Sequence, residues 1–593
     1  PLHPCEHFYI VTEPMDVPAT LPVMRNMDAC AYYKEDAGKL LIGAFEPKAK
    51  PWAANGIPED FCFTELPEDF DHFEPILRGA IHRVPKLEKT GIRKFFNGPE
   101  SFTTDQRYLL GPAPEIGNFF VAAGFNSIGI QSAGGAGMVL AHWIAHGHPP
   151  FDLWDVDIRR AMPHQNSRAF LVERVSEALG LLYAMHWPYR QFETARGVRK
   201  TPFHDRLKAR GACFGEVAGW ERANWFAPSG VAPEYRYSFK RQNWFDDCGE
   251  DCRATRNAVG LFDQSTFAKF AVRGADAELA LQLICANDVG SAPGRAIYTQ
   301  WLNERGGIEA DLTVTRLAED SYLVVTAAAT AGRDLHWLTR HIPGEARASV
   351  VDVTAAYAVL GVMGPNSRAL LSTLTTADLG NAAFPFGASR EIEIGYARVR
   401  ASRISYMGEL GWELYIPTEH AVAVFDRIVE AGGAHGLKLC GMHAMDSLRI
   451  EKAYRHWGHD IGEEDTPIEA GLGFVVAFDK KTPFIGREAL LRQKSQPRLV
   501  KRMVQFALED PQPLLYHNEP IYRDGRLVGY TSSAAYGHAL GRAIALGYVN
   551  CPDGVDQAYI DSGKFEIEVA CERVPARASL RPMYDPRSER MRV

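Results

Sequence analysis

The chain has 593 residues, 46% hydrophobic and 23% charged. That is the composition of a folded multidomain protein, and it excludes disorder and collagen-like repeats; at about 150 residues per domain it corresponds to about four domains. A net charge of −8 argues against a dominant nucleic-acid role, and no apolar run reaches the ~18 residues of a membrane span.

The first residues, Pro1 to Cys5, lack Met and a signal peptide and run straight into a strand signal at His7–Val11. That pattern predicts a start inside a longer protein. Leu40–Gly43 reads as a further strand. Two helical stretches are expected around a Pro/Gly-rich segment from Gly98 to Gly117. Phe119–Gly124 reads as a strand entering a glycine-rich turn, with a helix over Gly137–His146. Pro149 to Thr201 suits a connector or side layer. A second body shows strand signals at Ala268–Val272, Thr313–Leu317, Tyr322–Thr326, Ala397–Ser402 and Trp412–Ile416, with helices at Ala421–Ala431 and Met442–Ala453. From about Arg498 the texture is β-rich: strands at Val500–Ala507, Arg526–Thr531 and Gln557–Ile560 alternate with turns at Asp524-Gly525 and Asp561-Ser562-Gly563. The ten cysteines are dispersed. Cys248 and Cys252 sit one helical turn apart without a second pair nearby, so ordinary thiols are expected and no metal site.

Three segments carry candidate chemistry. Gly124 to Gly137 is the densest glycine cluster, and glycine lets backbone approach a large ligand; packing and turn formation are the plainer reading. No strand-GxGxxG-helix with a later acidic residue occurs. In Tyr298–Leu317 a Gly306-Gly307 turn is expected to join paired strands and to place Asp311 near the start of the second. In Arg403–Tyr415, Gly408 and Gly411 make a bend between Tyr406 and Glu413. A turn-capping carboxylate and a surface glutamate are the plain alternatives at these two places.

FFVAAGFNSIGIQSAGGAGMVLAHWIAHG, residues 119–147, resembles the flavin-contacting element of FAD-dependent amine oxidoreductases. EHFYIVTEP at 6–14, DACAYYKED at 28–36, LLIGAFEPKAKPW at 40–52 and RYLLGPAPE at 107–115 resemble the substrate-domain portion of the dimethylglycine and sarcosine dehydrogenase family. The resemblance implies FAD as cofactor, held in full only with a preceding ADP-binding segment. It also implies His7 and Tyr33 as active-site residues: His7 assists amine deprotonation and Tyr33 orients substrate. Asn126 and Gly129 become expected flavin-edge contacts, and Gly134, Gly135 and Gly137 close-approach positions. Arg25, Lys50 and Arg107 are cations with no assigned role.

Residues from about 205 to 590 resemble the folate-binding aminomethyltransferase, or glycine-cleavage T-protein, fold. Tyr298, Asp311, Tyr406 and Glu413 match that family's folate-site positions in order. Asp311 is expected to accept a proton during attack by a folate nitrogen, Glu413 to bond the pterin edge, and the tyrosines to shape the pocket. One departure stands out: Met445 replaces the arginine of an ARD motif.

The expected fold is therefore α+β and multidomain. A partial D-amino-acid-oxidase-like domain at 1–150 and a connector at 151–206 precede a folate-binding domain at 207–497 and a small barrel-like domain at 498–593. The implied reaction is oxidative demethylation of dimethylglycine, sarcosine or a related N-methyl amino acid. FAD accepts the hydride, tetrahydrofolate captures the carbon, and an electron-transfer protein or oxygen reoxidises the flavin. The rival readings are a folate-dependent aminomethyltransferase or demethylase without flavin chemistry, and a non-catalytic folate-binding module. Bacterial cytoplasm and mitochondrial matrix both suit the family, and oligomer formation is compatible with it.

Overall fold

A computed structural model describes residues 1–593. The chain divides into two compact units, Pro1–Val198 and Arg199–Val593. No helix is long and apolar enough to cross a membrane.

The first unit is built on a five-stranded antiparallel sheet in the order Met24–Asn26, Ala31–Asp36, Lys39–Ala44, Leu2–Thr12, Ile92–Thr103. The helix Phe70–Arg83 begins at Asp69, whose carboxylate accepts the His72 amide hydrogen at 3.0 Å, a standard N-terminal cap. Its buried stripe Phe73, Ile76, Ala80 recurs at helical spacing and packs on Phe8, Ile10, Tyr33 and Ile42. The opposite face carries Cys5, Tyr32, Phe45 and Phe102 and is covered by Val175 and Leu179. Residues 151–198, read in sequence as a connector, form part of this unit through the helix Arg168–Ala178 and its neighbours.

Gly98, the first residue of the Pro/Gly-rich segment, lies inside the strand Ile92–Thr103. The Phe96 ring lies over it, where an added Cβ would meet the ring at 2.7 Å. The helix expected from Gly137 starts at Gly129 and runs to His146. Ala136, Val139 and Trp143 give it a buried stripe, which outweighs the glycines' low helix propensity.

The second unit holds two large sheets, a two-stranded hairpin Ala212–Val217/Trp220–Phe226 and a barrel. One sheet has the order Ser389–Ile394, Ala397–Ser402, Gly411–Pro417, Tyr357–Met363, Val259–Asp263, Leu437–Leu439, with only the last pair parallel. The other runs Arg295–Leu302, Ile308–Ala318, Ser321–Thr326, Ala268–Arg273, Ser349–Asp352. Each has its own apolar core, around Trp412 and around Trp301 respectively. The C-terminal strands, from Lys501–Leu508 to Glu572–Ser579, close into a six-stranded barrel. The strand expected at Gln557–Ile560 is instead the first part of a helix, Gln557–Ser562. Asp556 caps it by accepting the Tyr559 amide hydrogen at 2.8 Å, a local signal that outweighs the β-forming Tyr and Ile.

Candidate functional site

The hairpin Arg295–Leu302/Ile308–Ala318 positions the first group of residues. Its turn is fixed by Asn303, whose side-chain oxygen accepts the Gly307 amide hydrogen at 2.9 Å. Gly306 takes φ +87° there, and a Cβ on Gly307 would strike the Glu463 carbonyl at 1.8 Å, so both glycines are required. Strand alternation then turns Trp301, Ala310, Leu312 and Val314 into the core and leaves Tyr298, Gln300 and Asp311 on the other face.

Gln300 lies directly across from Asp311 and donates to its carboxylate at 2.9 Å. Tyr298 also bonds that carboxylate, and the Arg455 charge acts on both groups. Tyr406 approaches from the Ser405–Glu409 turn; its hydroxyl donates to the Arg455 carbonyl at 2.8 Å. Gly408 takes φ +77° in that turn, with the Lys452 side chain where a Cβ would stand. Tyr298, Asp311, Tyr406 and Glu413 are each half-buried, yet burial displaces the pKa of all four. Side chains that keep some surface while surrounded by protein line a recess.

Burial pushes the Asp311 carboxyl up to about 6, opposed by its bonds from Gln300 and Tyr298. The carboxylate fraction therefore rises across pH 5 to 7, where this group becomes a competent proton acceptor. Because its folded pKa lies above the ordinary carboxylate value, its contribution to stability is full below about pH 4 and is lost as pH rises through about 6. We expect Asp311→Asn to match the wild type in thermal stability at pH 4 and to exceed it at pH 8, by calorimetry at both pH values. Equal differences at the two pH values would contradict the raised carboxyl.

Glu413 belongs to a neighbouring group. It sits on Gly411–Pro417 opposite Gly361, accepts from the Tyr415 hydroxyl at 2.8 Å, and interacts with Gln264 and Lys269. The Lys269 ammonium is buried, donates to the Ser265 and Phe267 carbonyls at 2.9 and 2.8 Å, and is pushed down to about 7 by desolvation. Two buried acceptors have no partner: Gln300 Oε1 beside Asp311 and Gln264 Oε1 beside Glu413. A pterin ring, with several N–H donors on its edge, fits that acceptor-rich set. Met445 lies in an apolar cluster with Cys252, Phe262 and Met407, so the departing motif position contributes packing.

In the first unit His7 and Tyr33 fall on opposite faces of the sheet. Tyr33 lies under the helix Phe70–Arg83, with its hydroxyl unpartnered in an apolar core. The neighbouring Tyr32 stands on the His7 face: its ring covers Gly43 and lies 5.9 Å from Phe45, which is 5.0 Å from the His7 ring. His7 thus shares its face with Tyr32 and not with Tyr33, because successive strand residues alternate faces. Both His7 nitrogens lack hydrogen-bond partners. Desolvation lowers its pKa, against the pull of Glu100 and Glu46. Lys50 and Arg107 are engaged by Asp69 and Asp155, whereas Arg25, opposite Tyr32, lies over the Tyr183 ring at 5.9 Å.

The Asn126 side chain is taken up by Thr103: its oxygen accepts the Thr103 amide hydrogen at 2.8 Å. It therefore braces the Gly124–Ser127 turn, where Gly124, Asn126 and Ser127 all have positive φ, and offers no free amide. Gly129 stands at the first turn of its helix against Phe125. Gly134, Gly135 and Gly137 face open space. An uncapped helix start followed by small, open positions fits the edge of a flavin ring.

Tyr32, Gln300, Arg455, Gln264 and Lys269 were not singled out from sequence. Alternation points to Tyr32 and Gln300, once one member of each face is fixed. Arg455 and Lys269 become visible only through packing.

Comparison with known proteins agrees with this layout. Residues 1–143 match the FAD dependent oxidoreductase family, and 146–201 its central domain. Residues 203–480 match the GCVT N-terminal domain and 501–585 the glycine cleavage T-protein C-terminal barrel domain. The chain thus unites an FAD-dependent oxidoreductase portion with a T-protein-like folate-binding portion. It is 46% identical to 4-methylaminobutanoate oxidase (formaldehyde-forming) of Paenarthrobacter nicotinovorans over 100% of this chain and 71% of that one. It is 36% identical to human mitochondrial sarcosine dehydrogenase over 100% of this chain and 68% of that one. The aminomethyltransferase T structure from Bartonella henselae superposes with a TM-score of 0.54 at 25% identity, covering 65% of this chain and 98% of that one. The chain belongs to the dimethylglycine and sarcosine dehydrogenase family, and spans about two thirds of the length of these longer relatives.

Proposed function

We propose that the second unit binds a reduced folate and captures on it the methylene carbon of an iminium, the two-electron oxidised form of an N-methylated amine, with Asp311 as the proton acceptor and the demethylated amine as leaving group. The observation that supports this reading best is Asp311 itself: a recessed carboxyl pushed up to about 6, bonded by Gln300 and Tyr298. A nitrogen that attacks an electrophilic carbon must shed a proton, and a carboxylate of this pKa accepts one at pH 7. Tyr298 and Tyr406 would frame the ring, Glu413 would accept from its N–H edge, and folate supplies the nucleophilic nitrogen. Titration of the full chain with tetrahydrofolate tests the reading. Saturable one-to-one binding is expected, and an absence of binding would overturn it.

A second reading couples this step to amine oxidation, and rests on His7 and Tyr32 sharing one aromatic face. FAD, when bound, supplies the hydride acceptor. His7, held neutral by burial, would keep the amine nitrogen unprotonated, and Tyr32 would orient the substrate. The names of the relatives point to 4-methylaminobutanoate or sarcosine as substrate, with an electron-transfer protein or oxygen as oxidant. The mitochondrial name of the human relative supports a mitochondrial compartment, and the bacterial source of the other relative supports the bacterial cytoplasm. In FAD-loaded protein we expect Tyr32→Phe to lower kcat/KM for the amine by about tenfold to a hundredfold. Tyr33→Phe removes only an unpartnered buried hydroxyl and should leave kcat/KM within about twofold. The reverse pattern in steady-state kinetics would return the role to Tyr33.

A further inference from the structure

Arg222 makes no side-chain hydrogen bond or ion pair to a fixed group of the fold. It lies on the strand Trp220–Phe226, which packs against the start of the helix Met442–Glu451: a Cβ on Gly441 would strike the Asn224 carbonyl at 2.1 Å. Its Nε is buried and makes no hydrogen bond. The carboxylate that acts on it is Asp446, and that group is bridged by Arg449 at 3.5 Å.

The other groups nearby are already engaged or neutral. Arg449 donates to Asp460 at 2.7 Å. The Tyr235 hydroxyl accepts from Asn224 at 2.7 Å and contacts the His443 ring at 3.2 Å. Desolvation pushes His443 down to about 4, so it carries no charge at pH 7. Asp446 thus acts on both Arg222 and Tyr406, and Asp311 acts on Tyr406, which puts Arg222 within electrostatic reach of the Asp311 group.

A guanidinium whose Nε has lost its water and which has found no ion pair is costly unless something anionic occupies the gap. Its planar fork suits a carboxylate held by two parallel bonds. We propose that Arg222 binds the glutamyl carboxylate of the reduced folate whose pterin ring lies at Asp311, supplying from a strand the cation that Met445 does not supply from the helix. This rests on the folate reading above.

The test titrates the full chain, as wild type, Arg222→Met and Arg222→Lys, with 5-formyltetrahydrofolate and with 6-methyltetrahydropterin, which has the ring but no glutamate. Arg222→Met is expected to weaken the folate about tenfold to a hundredfold and the pterin less than twofold, with Arg222→Lys between. Added salt should weaken wild-type folate binding and leave pterin binding unchanged, a readout that needs no variant. Equal loss for both ligands, or no loss for the folate, would overturn the assignment while leaving the folate reading intact. A wild type that binds neither ligand would defeat the folate reading itself. A third arm titrates sarcosine and 4-methylaminobutanoate: weakening there, with folate affinity unchanged, would assign Arg222 to the amine's carboxylate and overturn the proposal.

Discussion

Asp311→Asn is expected to slow folate-dependent carbon transfer by about a hundredfold to ten-thousandfold while changing tetrahydrofolate affinity only a few-fold. The amide keeps the shape of the carboxyl and its place opposite Gln300, but it cannot take a proton. The wild-type rate is expected to rise through about pH 6, and that limb should disappear in the variant, because the carboxyl that ionises there is gone. Tyr298 cannot substitute: burial, the largest cause holding its hydroxyl above the ordinary tyrosine range, persists in the variant. Rapid-quench measurement of the methylene product over pH 5 to 8 checks both points. An unchanged rate, or a surviving limb near pH 6, would remove Asp311 from the chemistry.

Arg256→Met should destabilise the second unit by about 3–5 kcal/mol. Arg256 is nearly fully buried and bonds Glu409 at 2.9 Å and Glu451 at 2.8 Å. It also donates to the Met407 and Leu448 carbonyls, and its guanidinium lies 4.0 Å from the centre of the Tyr584 ring. Removing it strands Glu451, which keeps only the Ala539 and Leu540 amide hydrogens. Glu409→Gln leaves Arg256 paired with Glu451 and frees only the partly exposed Arg590, so its loss should be smaller than that of Arg256→Met. The same arginine ties the helix Phe245–Asn257 to Met442–Glu451 and to the turn that carries Tyr406, so folate affinity should fall together with stability. Urea unfolding of both variants reads the effect; a loss under about 1 kcal/mol would show the network to be replaceable.

The layout was legible because it is written in long ordered motifs. The Gly306-Gly307 hairpin and its Asp311 need no tertiary information, since glycine pairs and strand alternation act locally. The side of the sheet was harder. In DACAYYKED two adjacent tyrosines point to opposite faces, and only the position of the helix Phe70–Arg83 decides which one meets His7. Asn126 looked like a ligand contact because a conspicuous polar residue sits in a glycine turn, but its amide is required by Thr103. Arg222 was invisible for the opposite reason. An arginine in a strand reads as a solvated edge, and its isolation appears only when the helix Met442–Glu451 is packed against it.

One measurement bears most directly on the central claim, that a carbon from an N-methyl amine is captured at the Asp311 recess. FAD-loaded protein is incubated without oxygen with an N-[13C]methyl amino acid and tetrahydrofolate, and the products are followed by carbon NMR. The label should appear in the methylene bridge of the folate in wild type and accumulate as free formaldehyde in Asp311→Asn. Label released as formaldehyde to the same extent by both proteins, with none on the folate, would contradict it.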